Sequence, residues 1–262
     1  MGKQEHKPAR GPPVTKHVAL ITGAAGGIGS ATCRVFHEAG WTVVGVDRRH
    51  EVVVGVDHFI EADISDPESP TRIFEELTSH TGRLDALVNN AAMQVCKPIL
   101  ETTAEEWDQV MASNIRSVFL SAKAAYPMLR QSKGSIINVS SVHAMATSRN
   151  IAAYAASKGA LSAFTRSMAL EFGDDEIRVN AVLPGAVDTP MLHAGLERGH
   201  VEPGSLDELV RGLGERHVLG RVGLPEEIGK VIHFLADARQ SSFITGQSIV
   251  VDGGALARLS TE

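Results

Sequence analysis

The sequence predicts a single α/β domain built on a Rossmann-like, doubly wound parallel sheet of about seven strands, with helices on both faces. Three observations predict it. Short β-rich runs alternate with helical patterns along the whole chain, with no internal repeat and no linker. The first of these runs leads at once into a glycine turn and a helix start. Asp47, Asp63, Asn90, Ser141 and Pro184-Gly185 all fall at the C-terminal ends of expected strands, where such sheets bind ligands.

Val18-Ala19-Leu20-Ile21 is the first strand. Thr22 to Gly29 carries Gly23, Gly26 and Gly27 ahead of Ile28, and a helical pattern runs from Ser30 to Ala39. Glycines let the backbone approach a pyrophosphate, and the helix N-terminus offers free N–H groups and positive potential. A glycine-rich turn alone is weak evidence; its place between strand and helix is the required context. Trp41 to Val46 is the next strand and ends at Asp47. A carboxylate there accepts from both adenosine ribose hydroxyls and repels a 2′-phosphate, which favours NAD over NADP. Arg48 and Arg49 follow it, and a guanidinium could instead receive that phosphate.

His58 to Ile64 reads as a third strand. Asp63 at its end either accepts from the adenine amino group, next to Ile64, or caps a helix beginning near Pro67. The link from Asp47 to His58 holds Val52-Val53-Val54 and leaves little room for a helix. Ser69 to His80 is amphipathic, and Leu84 to Val88 is a fourth strand leading into Asn89-Asn90-Ala91-Ala92. Thr103 opens a helix with Glu106 as its capping-box partner, running towards Leu129. Asn114 lies in mid-helix, where Asn is disfavoured. It reads either as a tolerated surface residue or as one that perturbs the helix and holds a water.

Ser135 to Val139 is a buried strand with Ser141 at its C-terminal end. Alanine crowds the stretch from Ala152 to Phe172, a long helix. Tyr154 and Lys158 are four apart and share a face. An ammonium beside a phenol favours the phenolate, so the pair is expected to have a lowered Tyr pKa and to exchange a proton with an alcohol or ketone. Such pairs also occur by chance on exposed helices. Ile177 to Val182 is a sixth strand that ends in Pro184-Gly185-Ala186-Val187-Asp188-Thr189. Residues 192–222 lack a stable apolar period and read as a mobile insertion, a substrate lid around 190–222. Pro225 to Leu235 is a helix, and a last strand begins at Ser248.

The chain has 262 residues, enough to bury a sizeable core, with 43% hydrophobic and 21% charged residues. The net charge of −6, with no basic block beyond the first sixteen residues, argues against nucleic acid or an anionic membrane as partner. Cys33 and Cys96 have neither metal-ligand spacing nor a disulfide framework, so no metal is expected and a cytoplasmic setting fits. No apolar run reaches transmembrane length. Residues 1–15 read as a disordered lead-in, and 16–262 as the domain.

Taken together, these segments resemble the short-chain dehydrogenase/reductase family. The resemblance rests on Thr22-Gly23-x-x-x-Gly27-Ile28-Gly29, Asn89-Asn90-Ala91-Ala92, Asn114, Ser141, Tyr154-x-x-x-Lys158 and Pro184-Gly185-x-Val187-x-Thr189, in the family's order, over about residues 16 to 254. It implies a nicotinamide cofactor, here NAD, with Tyr154 as acid/base and Ser141 orienting the substrate oxygen. Lys158 would hold the nicotinamide ribose and lower the Tyr pKa, Asn114 would hold a relay water, and Val187 and Thr189 would flank the carboxamide. A homotetramer is the family's usual assembly. Ala92 departs from the more usual Gly, and the short link after Asp47 departs on the adenine side.

His143 and Gln94 are expected to face the substrate, although a satisfied loop histidine is an equal reading of His143. Their placement resembles that of 3-hydroxybutyrate dehydrogenases. Those carry a Lys where this chain has Ile151, so Arg149 or a lid arginine would have to receive a carboxylate. The expected activity is on a secondary alcohol/ketone couple, with a polar hydroxylated substrate such as a sugar, polyol or hydroxy acid. The alternatives are a 3-oxoacyl carrier-protein reductase and a non-catalytic dinucleotide sensor. The first would normally use NADPH and show a basic face; the second would have lost Tyr154 or Lys158.

Overall fold

A computed structural model of the chain describes residues 16–196 and 204–257. The lead-in, part of the expected lid (197–203) and the last five residues lie outside them. The elements follow in order as β1 (Val18–Thr22), α1 (Gly27–Glu38), β2 (Thr42–Asp47), β3 (His58–Glu61), α2 (Ser69–Thr81), β4 (Ala86–Asn89), α3 (Ala104–Met111) and α4 (Ser117–Ser132). Then come β5 (Ser135–Val139), α5 (Ala152–Glu171), β6 (Arg178–Pro184), α6 (Pro190–Leu196), α7 (Leu206–Gly214), α8 (Pro225–Ala236), α9 (Ala238–Ser241) and β7 (Ser248–Val251).

The seven strands form one sheet in the order β3-β2-β1-β4-β5-β6-β7, and every pairing is parallel. Both faces are covered, as parallel sheets require. Alternate residues of β1 serve opposite cores. Val18 and Leu20 join the core under α2, α4 and α5, while Ala19 and Ile21 join the core under α1 and α8. The strand order reverses between β1 and β4, so a crevice opens at their C-terminal ends. No helix among the described residues is long and apolar enough to cross a membrane.

Three local results refine the sequence reading. No helix joins β2 to β3, as the short Val52 to Val54 link implies. The Thr103 helix has its capping box with Glu106, and it passes through a π-helical turn, Ala112–Arg116, between α3 and α4. The segment 192–222, read as lacking a stable apolar period, has one in α7. Its described part is not irregular: it contains the end of α6 and all of α7, and α7 has a reciprocal capping box between Ser205 and Glu208. Leu206, Leu209, Val210 and Leu213 supply the helical spacing that the high content of Gly, His and Arg obscures.

Candidate active site

The turn after β1 is built from contacts that side chains would destroy. Gly23 has φ of 67°, and a Cβ on it would lie 2.8 Å from the Ala91 Cα. A Cβ on Gly29 would lie 1.9 Å from the Gly23 carbonyl oxygen, and one on Gly27 would lie 2.6 Å from Thr189 Cγ2. Gly26 caps α1 with no side-chain bond to its first N–H groups, leaving them to an anion. Thr22 and Asn90 stitch this turn to the one after β4. The Thr22 hydroxyl accepts from the Asn90 and Ala91 N–H groups, both at 3.1 Å, and donates to the Val88 carbonyl. Asn90 Nδ2 donates to the Thr22 and Gly23 carbonyls at 2.9 and 3.2 Å.

Asp47 ends β2 and is 9% exposed. Its carboxylate accepts from the Ala25 and Arg49 N–H groups, both at 3.1 Å. Arg49 folds back over the turn, with Nε 3.6 Å from Asp47 Oδ1 and Nη2 donating to the Ala25 carbonyl at 3.1 Å. Arg48 and Arg49 are both exposed, and of the two it is Arg49 whose guanidinium lies beside the carboxylate. Asp63 lies two residues past β3 and is exposed. Its Oδ1 accepts from the Ser65 N–H and hydroxyl, so it caps that turn and not α2, which starts at Ser69. Ile64 packs against the core beside it.

A cavity of about 700 Å³ opens beyond the glycine turn. Ile28, Asn90, Ala91, Pro184, Gly185, Val187 and Thr189 form its inner wall. Ser141, Tyr154 and Lys158 line it together. Lys158 is 2% exposed; its Nζ donates to the Val139 carbonyl at 2.7 Å and stands 5.5 Å from the Tyr154 ring centre. Burial pushes Lys158 down to about 7. Burial also pushes Tyr154 up to about 12, against the smaller lowering by the Ser141 hydroxyl. This corrects the expected lowering. Desolvation of the phenolate outweighs an ammonium that is itself discouraged by burial.

Asn114 is 1% exposed in the π turn, so it is not a surface residue. Its Oδ1 accepts from the Met93 N–H at 2.8 Å, and its Nδ2 donates to the Met93 carbonyl at 2.8 Å and to Ser157 Oγ at 3.0 Å. Both amide donors are thus used by the protein, so a water could be held only by an oxygen acceptor here. The residue locks the segment after β4 onto α5.

His143 and Gln94 both reach the cavity. The His143 ring stands edge-on to Tyr154 at 5.9 Å, and burial lowers its pKa, so it is neutral at pH 7. Its Nδ1 is 3.0 Å from Thr147 Oγ1. Gln94 Nε2 donates to the Met191 carbonyl at 2.9 Å and so ties α6 to the site. Sequence reasoning missed Cys96, Leu213, Arg216 and His217, which also line the cavity. Only Arg216 belonged to a recognisable class, the lid arginines. Among the described lining residues the charged side chains are Arg149, Lys158 and Arg216, with no carboxylate.

The comparisons agree with this architecture. Residues 23–255 match the family described as Enoyl-(Acyl carrier protein) reductase. The chain is 36% identical over 252 residues to a cyclopentanol dehydrogenase of Comamonas sp. (strain NCIMB 9872), covering 92% of this chain and 97% of that one. It is 37% identical over 249 residues to a 3-oxoacyl-(acyl-carrier-protein) reductase of Thermotoga maritima, covering 90% and 96%. Its fold is similar to the ligand-free aldohexose dehydrogenase of Thermoplasma acidophilum, with TM-score 0.88 and 30% identity over 94% and 96% of the two chains.

Proposed function

The chain belongs to the short-chain dehydrogenase/reductase family and is an oxidoreductase acting on secondary alcohols, and we propose that it uses NAD with Tyr154 as its proton-transfer group. The observation that carries this reading is the meeting of Ser141, Tyr154 and Lys158 in one cavity with the side-chain-free glycine turn. The turn fits a dinucleotide: a Cβ on Gly27 would strike Thr189 and one on Gly29 the Gly23 carbonyl, so only glycines let the turn close this tightly over the start of α1. A bound nicotinamide supplies the acceptor or donor for the hydride of the carbinol carbon.

The remaining steps belong to the chain. The Ser141 hydroxyl holds the substrate oxygen. The Tyr154 oxygen takes the hydroxyl proton during oxidation and returns it during reduction. With its pKa pushed up to about 12, the Tyr154 hydroxyl is protonated at neutral pH and stands ready to donate to a developing alkoxide, while taking a proton in oxidation calls on the Lys158 charge beside it. Lys158 acts from its bond to the Val139 carbonyl, placing positive charge beside the phenol and offering its remaining protons to the ribose hydroxyls. Asn114 positions Ser157 and the Met93 backbone. Gly23, Gly26, Gly27 and Ile28 would cradle the pyrophosphate, Asp63, Ile64, Asn90 and Ala91 the adenosine side, and Pro184, Gly185, Val187 and Thr189 the carboxamide. Asp47 would accept from the adenosine ribose.

The substrate is a polar hydroxylated alcohol or ketone: Gln94, His143, Arg149 and Arg216 around the cavity support this. The positive lining favours a hydroxy acid within that group. A carrier-protein substrate would make a poor match to the net charge of −6, since a reductase of that kind docks its carrier on a basic face of its own. Exposed Phe119 on α4, Leu170 on α5 and Val250 on β7 support a homotetramer, which light scattering at micromolar concentration tests. The free thiols of Cys33 and Cys96 support a reducing, cytoplasmic setting. The deciding experiment is a panel of secondary alcohols, polyols, aldoses and hydroxy acids, each assayed with NAD and NADP. Turnover with NAD on at least one class is expected. Tight cofactor binding without turnover on any class would instead mark a dinucleotide sensor.

A further inference from the structure

On the edge of the sheet, outside the cavity, three metal-ligating side chains converge. His58 opens β3, while Glu76 and His80 lie on α2 four residues apart and so share a face. One ligand atom from each lies within 4.8 Å of the other two. None of the three lines the cavity, and none has a part in the proposed reaction.

We propose that His58, Glu76 and His80 form a binding site for one divalent ion of the zinc class. Two imidazoles and a carboxylate are the donor set that zinc, cobalt, nickel and copper prefer over magnesium or calcium. Bonds of about 2.0–2.1 Å put two ligand atoms of a tetrahedral ion roughly 3.3 Å apart. Closing the site from a 4.8 Å upper limit requires the stacked His58 and His80 rings to part so that both lone pairs meet the ion in their ring planes, and His80, exposed near the end of α2, is the side chain placed to turn.

His80 Nδ1 is 3.0 Å from the Glu76 carbonyl and 3.2 Å from the Ser79 hydroxyl, so a proton on Nδ1 finds an acceptor, and in that tautomer Nε2 presents its lone pair. Metal-bound histidines are oriented by this kind of bond from the other ring nitrogen to a carbonyl. His58 Nε2 is 2.7 Å from Glu76 Oε1, and the two imidazole rings stack at 3.7 Å with 25° between their planes. An ion would replace the single proton that His58 and Glu76 share, and would draw His80 Nε2 in as the third ligand. His58 and Glu76 are 26% and 42% exposed, so water can complete the shell. The ion would staple β3 to α2.

The test uses the full chain, stripped with a chelator and titrated with zinc chloride in a calorimeter. One ion per chain is expected at micromolar affinity, with tenfold or greater weakening in His80→Ala and in Glu76→Gln. Cobalt should give the visible absorption of a tetrahedral site, lost in His80→Ala. Saturating zinc should raise the Tm of the unmutated protein by several degrees and leave that of His80→Ala unmoved. His80 is exposed, so its replacement does not threaten the fold, and a metal-free melt checks this. The chain has 11 histidines, and binding elsewhere is recognised by its survival in the variants. No zinc binding, or equal affinity and stoichiometry in His80→Ala and Glu76→Gln, would overturn the proposal.

Discussion

The two walls of the cavity are made differently. The inner wall, at the C-terminal ends of β1, β4 and β5, is held by backbone: glycines without room for a Cβ, Thr22 and Asn90 tying two turns together, and Lys158 anchored to a strand carbonyl. The outer wall is made of side chains on α6, α7 and the 142–150 loop, where Arg149 and Arg216 are exposed and Gln94 supplies a tie to Met191. A wall built from backbone binds what every member of the family binds. A wall built from exposed side chains can change its substrate without disturbing the fold.

The largest expected contrast is between the buried Lys158 and the exposed Arg149. The unfolded Lys158 holds its proton to about pH 10.4, whereas the folded one releases it near about 7. Between those values the unfolded chain binds more protons, so this group makes stability rise with pH; below 7 the full cost of the buried charge is present. Its size is up to roughly 5 kcal/mol. Tyr154 acts in the opposite sense: with its pKa raised to about 12, its contribution is lost as pH climbs from about 10 to 12. Denaturant unfolding between neutral pH and pH 9.5 should show the rise in the unmutated protein and in Arg149→Ala, and a flattened profile in Lys158→Met. A slope unchanged in Lys158→Met would break the contrast.

Next in size is the glycine turn. Gly29→Ala puts a methyl into the Gly23 carbonyl, and the turn must reshape. Cofactor affinity should fall at least about a hundredfold, roughly 2.7 kcal/mol, by fluorescence titration with NADH. Asp47→Ala should act more mildly. Removing the carboxylate releases Arg49 from its ion pair, and the ratio of kcat/KM for NAD over NADP should shrink by about ten- to a hundredfold, roughly 1.4–2.7 kcal/mol. A ratio near one already in the unmutated protein would show that Arg49, not Asp47, governs the choice. The smallest effect belongs to the outer wall. A Cβ on Gly212 of α7 meets nothing within 4 Å, so Gly212→Ala should stabilise that helix by about 0.5–1 kcal/mol. A thermal melt showing a loss of stability would mean that α7 has a packing partner at that position.

The inner wall was legible in the sequence because its requirements are local. A glycine turn between a strand and a helix, an acid at a strand end, and Tyr and Lys one helical turn apart each declare themselves within a few residues. What stayed hidden depends on distant neighbours. The bond from Lys158 to the Val139 carbonyl joins residues nineteen apart, and burial, invisible to spacing, reverses the expected pKa shift of Tyr154. Asn114 gave a hint through its poor helix propensity, but the π turn itself has no sequence signature as plain as a cap. The α7 helix was readable and was obscured by composition: Ser205 and Glu208 are a capping box by spacing alone. Arg216 and His217 reach the cavity only because the chain after α7 turns back towards β7, where the Leu219 N–H donates to the Gly253 carbonyl.

The central claim is that the Tyr154 hydroxyl moves the proton at a site the backbone has already built. Tyr154→Phe removes that hydroxyl and little else, so it separates chemistry from binding. Steady-state oxidation of the best alcohol in the panel, set beside NADH titration of the same preparation, reads both at once. The account predicts turnover reduced by about three orders of magnitude or more, roughly 4 kcal/mol, with NADH affinity within about twofold of the unmutated protein. Turnover retained above a few per cent, or an equal loss of NADH affinity, would contradict it.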